Sequence, residues 1–293
     1  MLTREKRLKL IDIGINLMNS AFERDREQVV KAAAEAGVSS LIITGSGERS
    51  SLDAMLYASK YNAGESSSEN FGRLYTTAGV HPHEAKNCTN NTMDLLRQIV
   101  TEKPDQYSAA DNSGANSIVK AIGECGLDYN RDFSPRDVQR RWFIKQAELA
   151  AEFSLPLFLH ERDAFIDFSI ILREHIKNVP GAVVHCFTGT GDELEYYLSL
   201  GCYIGITGWI CDERRGNNLR ELVKIIPKDK LLLETDGPYL LPRDLPFKVR
   251  NKRNEPKYLP HIAETVASCV GKEVSVIAKE TVMNSRRFFG IAE

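Results

Sequence analysis

The sequence predicts an α/β fold, a closed (β/α)8 TIM barrel, from the number, the spacing and the composition of its apolar segments. Eight short runs rich in Val, Ile and Leu are bounded by turn residues, as is typical of strands buried on both faces. Between residues 8 and 231 these runs recur about every 32 residues, close to the roughly 30 residues of one βαβ unit. An open doubly wound sheet is the alternative, but no GxGxxG motif follows the first run. The closed barrel is therefore the preferred prediction.

Each apolar run is assigned to one strand of the barrel, in chain order. The predicted strands are LKLIDI (8–13), SSLIIT (39–44), LYTTAGV (74–80), IVKAIG (118–123), LPLFLH (155–160), GAVVHC (181–186), CYIGIT (202–207) and LLLETD (231–236). Polar segments at 63–70 and 104–117 precede the third and fourth strands. We expect them to form surface loops on the face opposite the usual active site.

The segments between the runs carry the signals of helices. From Asp25 to Gly37, apolar residues recur at helical spacing, and the glycine marks the end of the predicted helix. A second helix is predicted from Pro135 to Phe153, with Ser134 as its N-cap and the proline at the first helical position. These segments supply the helical half of the repeat.

Length and composition limit the class of protein. The chain has 293 residues, which we expect to form one domain, 1–293, and no apolar run is long enough to span a membrane. Its start lacks the apolar core of a signal peptide, and its six cysteines form no CxxC pair, so we expect a cytoplasmic protein with free thiols. A formal charge of −2 gives no global attraction for polyanions. No heptad repeat or swapped segment argues against a monomer.

Ionisable side chains lie at the carboxyl ends of five of the predicted strands, among their last residues or directly after them. They are His81 and His83, Glu124, His160, His185 and Asp236. A TIM barrel keeps its catalytic groups at this end of the strands, and buried charges need a partner. A divalent metal ion is the natural partner, because imidazoles and carboxylates bind it and it activates water for hydrolysis near neutral pH. A Cys–His nucleophile built from Cys186 or Cys125 is disfavoured, because neighbours on a strand point to opposite faces.

A local basic cluster indicates a phosphate-containing substrate. Residues 243–257 carry six Lys and Arg residues against two acidic ones, directly after the strand that ends in Asp236. Phosphate sites in TIM barrels are commonly built near strands seven and eight, and the planar fork of arginine suits phosphate oxygens, whereas an isolated charge run would indicate a solvated loop. The candidate arginines in the rim loops are Arg131, Arg162, Arg214, Arg215, Arg243 and Arg253. Aromatic residues of the same loops are candidates for base stacking: Phe133, Trp209, Tyr239 and Phe247.

A series of ordered motifs extends over nearly the whole chain. They are IDIGINL (11–17), AGVHPH (78–83), IGECGLDYNRDFS (122–134), VVHCFTGT (183–190), YIGITGWICDERRG (203–216), LLLETDGPYLLPRDL (231–245), RNEP (253–256) and FFGI (288–291). This set resembles the TatD family of metal-dependent deoxyribonucleases, which are TIM barrels of the amidohydrolase type. The resemblance implies Mg²⁺-dependent hydrolysis of DNA, and of RNA as well, from the 3′ end of single strands, with a role in DNA repair or degradation.

The same resemblance implies roles for the rim residues. The metal ligands of the family fall on Glu124, His160, His185 and Asp236, and its phosphate-contacting histidine falls on His81. We expect Glu124 and Asp236 to be catalytic, the first by anchoring the metal and the second by taking the proton from water. His81 and the rim arginines would hold the phosphate.

The first strand departs from the broader family pattern Asp-x-His-x-His, because this chain has Asp12, Gly14 and Asn16. We therefore expect one complete metal site and a poorer second one with Asn16 as a weak ligand, for one or two ions. An oxygen-rich site favours Mg²⁺ or Mn²⁺ over Zn²⁺. Glu161 and Gly237 are further departures, at positions where relatives commonly have Cys and Ala.

Two other functions stay open. The first is an ester or amide hydrolase of the same superfamily, such as a deacylase acting on aminoacyl-tRNA, which the basic cluster would serve equally well. The second is a barrel that binds nucleic acid or a partner without catalysis, because the first strand lacks two imidazoles. Turnover of labelled single-stranded DNA against charged tRNA distinguishes the first from a nuclease. Binding that persists in EDTA without turnover would indicate the second.

Overall fold

A computed structural model describes residues 8–64, 73–102 and 118–291 of the protein. Its strands are β1 (Leu10–Ile15), β2 (Val38–Ile43), β3 (Leu74–Ala78), β4 (Val119–Asp128), β5 (Leu157–Arg162), β6 (Ala182–Val184), β7 (Tyr203–Ile206) and β8 (Leu231–Leu233). Each strand pairs in parallel with the next one in the chain, so the strands lie in the sheet in chain order.

The sheet closes into a barrel where the segment after β8 meets β1. Ile15 and Gly237 form a parallel bridge, and the N–H of Asn16 donates to the Gly237 carbonyl at 2.9 Å. One residue earlier, the N–H of Asp236 donates to the carbonyl of Gly14 at 2.8 Å. The predicted (β/α)8 TIM barrel is therefore confirmed, and its closing contacts lie at the carboxyl ends of the strands.

Helices alternate with the strands, and short 3₁₀ turns lie between them. The helices are α1 (Arg26–Glu35), α2 (Glu48–Ala63), α3 (Asn90–Thr101), α4 (Arg136–Glu152), α5 (Phe165–His175), α6 (Gly191–Ser199), α7 (Asn217–Leu222), α8 (Leu259–Val270) and α9 (Val274–Phe289). The 3₁₀ turns are Ser20–Phe22, Pro82–Asn87, Ile176–Asn178, Gly208–Cys211, Val223–Ile225 and Pro256–Tyr258. As predicted, α1 ends just before Gly37, whose φ of +93° is a conformation that favours glycine.

The start of α4 differs from its prediction. Pro135 is the N-cap, with an extended backbone, and the helix begins at Arg136. The Ser134 hydroxyl donates to the His83 carbonyl at 2.8 Å and accepts from the N–H of Lys86 at 3.0 Å. The prediction of Ser134 as the N-cap is therefore wrong. Its hydroxyl connects α4 to the turn after β3, and a local sequence pattern does not reveal such a contact.

The lengths of β4, β6 and β8 differ most from prediction. β4 continues to Asp128, beyond the predicted end at Gly123, because a register shift against β5 lets the pairing resume after this glycine. β6 and β8 have only three residues each. Beyond them, Cys186 and Asp236 adopt left-handed φ angles of 48° and 54°, which end the extended backbone.

Two apolar layers stabilise the barrel. The outer layer packs the helices against the strands, and the inner layer fills the barrel with side chains from the strands and from α9. Phe288 and Phe289 of α9 belong to the inner layer. The side-chain amide of Asn284 donates to the carbonyls of Lys228 and Leu231, at the amino end of β8, at 2.8 and 2.9 Å. Helix α9 therefore covers the end of the barrel opposite the predicted site.

Some sequence-based predictions fall outside this description. The predicted loop 104–117, and the predicted loop 63–70 from residue 65 onward, lie outside the described residues. The assignment of residues 1–293 to one domain stays a prediction. Of the helices in the described part of the chain, none combines the length and the apolar character needed to cross a membrane.

Candidate active site

One carboxylate oxygen of Glu124 is the point where three imidazole rings converge. Its Oε1 lies 2.8 Å from Nε2 of His185, 3.0 Å from Nδ1 of His160 and 3.2 Å from Nε2 of His81. These four side chains come from β4, β5, the end of β6 and the turn after β3, and they are between 3% and 19% exposed. The carboxyl ends of four strands therefore build one buried cluster.

Two further carboxylates lie behind the imidazoles. Oε2 of Glu234 lies 3.3 Å from Nδ1 of His185. Oδ2 of Asp128 lies 3.3 Å from Nε2 of His160 and 2.7 Å from Nε2 of His83. With a metal ion bound, these carboxylates would accept the ring hydrogens and leave the lone pairs of His185 Nε2 and His160 Nδ1 for the ion. Metal-ligating histidines are commonly oriented in this way by carboxylates.

The backbone around the cluster fixes both of these carboxylates. Oε1 of Glu234 accepts the N–H of Cys186 at 2.5 Å, and Oδ1 of Asp128 accepts the N–H of Arg131 at 2.8 Å. Glu234 also fills space that two glycines leave free. A Cβ at Gly205 would lie 2.6 Å from Glu234 Oε1, and a Cβ at Gly14 would collide with Glu234 Oε2. Gly14, one of the departures from the family pattern, thus makes room for a carboxylate.

His81 differs from the other two imidazoles in its hydrogen bonds. Its Nδ1 accepts the backbone N–H of His83 at 3.1 Å, so the neutral ring carries its hydrogen on Nε2, toward Glu124. Burial lowers the pKa of His81 to about 4, although the Glu124 carboxylate raises it. His81, Glu124 and His160 place ligand-type atoms within 4.8 Å of one another. This tautomer nevertheless makes His81 a hydrogen-bond donor, which suits contact with a phosphate oxygen.

The cluster is electrostatically suited to a cation. Burial alone would raise the pKa of Glu124, but His81 and His185 lower it well below its usual range. Burial alone would lower the pKa of His185, but Glu124 and Glu234 raise it well above its usual value. The site therefore stabilises a positive charge between carboxylates, and its nitrogen and oxygen donors fit a divalent metal ion.

Asp236 lies just after β8, beside the cluster. Its Oδ1 accepts the side-chain amide of Asn16 at 2.9 Å. Burial raises the pKa of Asp236 to about 8; the neighbouring Glu124 carboxylate contributes, and the His185 ring opposes the shift. The structure thus places Asn16, the predicted weak metal ligand, against Asp236. The pair combines a carboxyl that exchanges protons near neutral pH with an amide that fixes its orientation.

Asp12 is buried on the other side of the closing segment. Its Oδ1 accepts the N–H of Thr235 at 2.9 Å, and its Oδ2 accepts the Thr235 hydroxyl at 2.5 Å. Burial raises the pKa of Asp12 to about 7, although the hydrogen bonds from Thr235 lower it. In this structure Asp12 therefore holds the segment that carries Asp236.

Three of the predicted phosphate-binding arginines surround one buried carboxylate, that of Asp212. The Nε atoms of Arg215 and Arg243 lie 2.9 and 3.1 Å from its Oδ2, and the Nε of Arg214 lies 3.7 Å from its Oδ1. Their side chains are 51%, 52% and 70% exposed, in the same order. Asp212 thus orients three guanidinium groups that still face solvent. Arg162, at the end of β5, is also exposed.

A groove of about 960 Å³ lies along the rim after β7 and β8. Among the side chains that line it are Trp209, Arg215, Arg243, Phe247, Lys248 and Lys252. The Arg215 guanidinium lies 4.2 Å from the centroid of the Trp209 ring, and Phe247 is 55% exposed. Aromatic and basic side chains therefore share one surface, a combination that suits bases and phosphates.

Arg253, a predicted phosphate contact, is instead bound by other groups of the protein. Its guanidinium donates to Asp25 at 2.6 and 2.9 Å, to Glu255 at 2.9 and 3.2 Å, and to the carbonyl of Ala21 at 2.6 Å. These bonds use all five N–H groups, and the side chain is only 13% exposed. A phosphate could reach Arg253 only by displacing these partners, so we leave it out of the proposed site.

Sequence reasoning missed Asp128 and Glu234. A usable signal existed for Glu234, because alternate residues of a strand share a face and Leu232 lies in the inner layer of the barrel.

Glu161 faces away from the cluster: its carboxylate accepts the Ala164 N–H at 2.8 Å and the Tyr197 hydroxyl at 3.2 Å. Both thiols considered as nucleophiles, Cys125 and Cys186, have pKa values raised by burial. A protonated thiol is a poor nucleophile.

Imidazoles and carboxylates at the carboxyl ends of the strands of a closed barrel define a metal-dependent hydrolase of the TIM-barrel class. The chain belongs to the TatD related DNase family, whose model matches residues 11–290, and the predicted family is thereby confirmed.

The chain is 46% identical to the 3′-5′ ssDNA/RNA exonuclease TatD of Rahnella sp. (strain Y9602), over 97% of this chain and 99% of that protein. It is 44% identical to the enzyme of the same name from Escherichia coli (strain K12), over 97% and 100%. A hydrolase TatD family protein from Entamoeba histolytica superposes with a TM-score of 0.82 at 28% identity, covering 96% and 98% of the chains.

Proposed function

We propose that this protein is a 3′→5′ exonuclease that hydrolyses phosphodiester bonds of single-stranded DNA and RNA with a divalent metal ion. Relatives at 44–46% identity carry this activity in their names. Within this chain, the observation that supports the proposal is the convergence of His160 and His185 on Glu124, each ring backed by a carboxylate. The predicted monomeric state and cytoplasmic location stay predictions.

Glu124, His160 and His185 would hold the metal ion, and Asp236 with Asn16 would provide a poorer, oxygen-rich position. Carboxylate oxygens favour Mg²⁺ or Mn²⁺, whereas the two imidazoles also suit Zn²⁺. When bound, the ion supplies Lewis-acid polarisation of a phosphoryl oxygen and activation of water.

The side chains of the protein would orient the substrate and move protons. Asp236, whose pKa burial raises to about 8, would accept the proton of the attacking water while Asn16 holds its Oδ1. His81 would exchange the contact of its Nε2 hydrogen with Glu124 for one with a phosphate oxygen as negative charge develops there. Arg214, Arg215 and Arg243 would hold phosphates of the strand along the groove, and Arg162 would approach it from β5.

The test uses single strands that carry a label at either the 3′ or the 5′ end. With Mg²⁺, the wild-type protein should release the 3′ label first, and EDTA should abolish the release. Glu124→Gln and Asp236→Asn should each lower the rate at least about 100-fold. Glu161→Gln is the matched control, because this glutamate lies in a neighbouring strand but faces Tyr197, and it should retain the rate.

The same preparations should be incubated with charged tRNA. Deacylation that is faster than nucleotide release would replace the proposal with an ester hydrolase. Binding of the strand without any release, in Mg²⁺ and in EDTA alike, would indicate a barrel without catalysis. Wild-type rates in Glu124→Gln would contradict the assignment of the site.

A further inference from the structure

We propose that Cys211, Asp244 and His261 form a second metal site, for a thiolate-binding cation such as Zn²⁺. These residues bring a sulfur, a carboxylate oxygen and an imidazole nitrogen within 4.8 Å of one another. The proposed nuclease chemistry does not use any of them. Three such ligands with an open fourth position match the ligand number and type of a tetrahedral zinc site.

Three separate segments deliver these ligands to one place. Cys211 is the last residue of the 3₁₀ turn Gly208–Cys211 that follows β7. Asp244 lies in the segment 243–257 after β8, and His261 lies in the first turn of α8. Because the ligands are far apart in sequence, their spacing does not resemble a zinc motif, and only the fold brings them together.

Asp244 and Cys211 already contact side chains of α8. Nε2 of His261 lies 2.6 Å from Oδ1 of Asp244. Sγ of Cys211 lies 3.3 Å from the hydroxyl of Thr265, which donates to the His261 carbonyl at 3.0 Å. Zn–S and Zn–N bonds of about 2.3 and 2.0 Å require ligand atoms roughly 3.3 to 3.7 Å apart. Only small side-chain movements would convert this cluster into a coordination sphere.

The surrounding charges favour a divalent ion. Burial raises the pKa of the Cys211 thiol to about 12, so a cation would have to displace this proton, as zinc does when it binds cysteine. Thiolate and aspartate would then balance its charge. Glu264 Oε2, 3.8 Å from Nδ1 of His261, adds a further negative charge, which offsets the Arg220 guanidinium 3.7 Å from the other oxygen of Asp244.

The expected ion differs from that of the proposed active site. Thiolate and imidazole ligands select Zn²⁺ over Mg²⁺. Asp244 follows Arg243, which lines the groove, so a bound ion would connect one wall of the groove to α8 and to the 3₁₀ turn after β7. We therefore expect zinc at this site to raise the melting temperature of the protein.

Cobalt substitution of the full-length protein tests the site independently of activity. Co²⁺ bound through a thiolate gives a sulfur-to-cobalt charge-transfer absorption in the near ultraviolet. This absorption should be present in the wild type, in Glu124→Gln and in Cys269→Ser, and it should be absent in Cys211→Ser. Cys269 is the matched control, because it lies in α8, as His261 does, but is not one of the three proposed ligands.

His261→Asn and Asp244→Asn retain the thiol and keep the test valid if Cys211→Ser does not fold, as judged by circular dichroism. Each should lower the affinity for Zn²⁺, measured by competition with a chromophoric chelator, at least about tenfold. Wild-type protein without the charge-transfer absorption would overturn the proposal. So would an absorption that persists in Cys211→Ser, or affinities that are unchanged in both of the other variants.

Discussion

Glu234 and His185 form a buried carboxylate–imidazole pair, with Oε2 of the first 3.3 Å from Nδ1 of the second. Glu234 acts on the site through this ring, since its carboxylate contacts His185 on the side away from Glu124. In this structure Nε2 of the same ring lies 2.8 Å from Glu124 as its hydrogen-bond partner; with a metal ion bound, Glu234 would hold the ring hydrogen on Nδ1 and leave the Nε2 lone pair for the ion. The quality of the metal site should therefore depend on a residue behind its ligands.

Removing the charge of Glu234 should weaken metal binding. Glu234→Gln keeps the shape of the side chain but loses the carboxylate that orients His185, so the affinity for Mn²⁺ should fall about 10- to 100-fold. Isothermal titration measures the effect, with Glu161→Gln as the control. Equal affinities in the two variants would show that Glu234 has no orienting role.

Adding a methyl group beside Glu234 should act in the same direction. In Gly205→Ala the new Cβ would lie 2.6 Å from Glu234 Oε1 and 3.1 Å from the Cα of His185, so one of them must move. We expect a loss of kcat/KM of about tenfold or more, because a misplaced ligand weakens the site. Gly191→Ala is the control, since its Cβ would meet only Leu222 at 3.6 Å. Equal rates in both variants would contradict the prediction.

His81 should affect catalysis more than metal affinity. His81→Ala removes the Nε2 donor, and kcat/KM should fall about 100-fold while the affinity for Mn²⁺ changes little. His81→Gln, which retains an N–H donor, should restore part of the rate. A loss of metal affinity as large as that in Glu124→Gln would instead identify His81 as a ligand.

Arg253 should contribute to stability. Arg253→Lys cannot reproduce the five hydrogen bonds to Asp25, Glu255 and Ala21. We expect the free energy of unfolding in urea to fall by about 2–3 kcal/mol. Arg250→Lys, an exposed position of the same segment, should change it by less than about 0.5 kcal/mol. Similar losses in both variants would rule out a specific role for these bonds.

Asp12 should make the stability of the metal-free protein depend on pH. Burial raises its pKa from 3.8 to about 7, although hydrogen bonds from Thr235 lower it. Its contribution to stability is therefore complete below the lower value and is lost as the pH rises through the higher one. Asp12→Asn does not titrate and should gain stability relative to wild type between pH 4 and 7, by at most about 1.4 kcal/mol per pH unit. Urea unfolding in EDTA measures the difference, and parallel pH profiles would contradict it.

The residues that the sequence could and could not predict differ in the range of their interactions. Glu124, His160 and His185 were predictable as neighbours, because a closed barrel brings the carboxyl ends of all its strands to one rim. The ion pair of Arg253 with Asp25 was not, because 228 positions separate the partners and only the packed loops bring them together. Glu234 lies between these cases, since its side of the strand was predictable but its contact with His185 was not.

The inner layer of side chains, which includes Phe288 and Phe289, fills the barrel and closes it at the end opposite the rim. A nucleic-acid strand that arrives at the rim cannot be threaded through to the far side. The terminal nucleotide must stop at the rim, and the released product must leave through the opening by which the strand entered. A site with one opening accommodates a free end more easily than the middle of a long polymer.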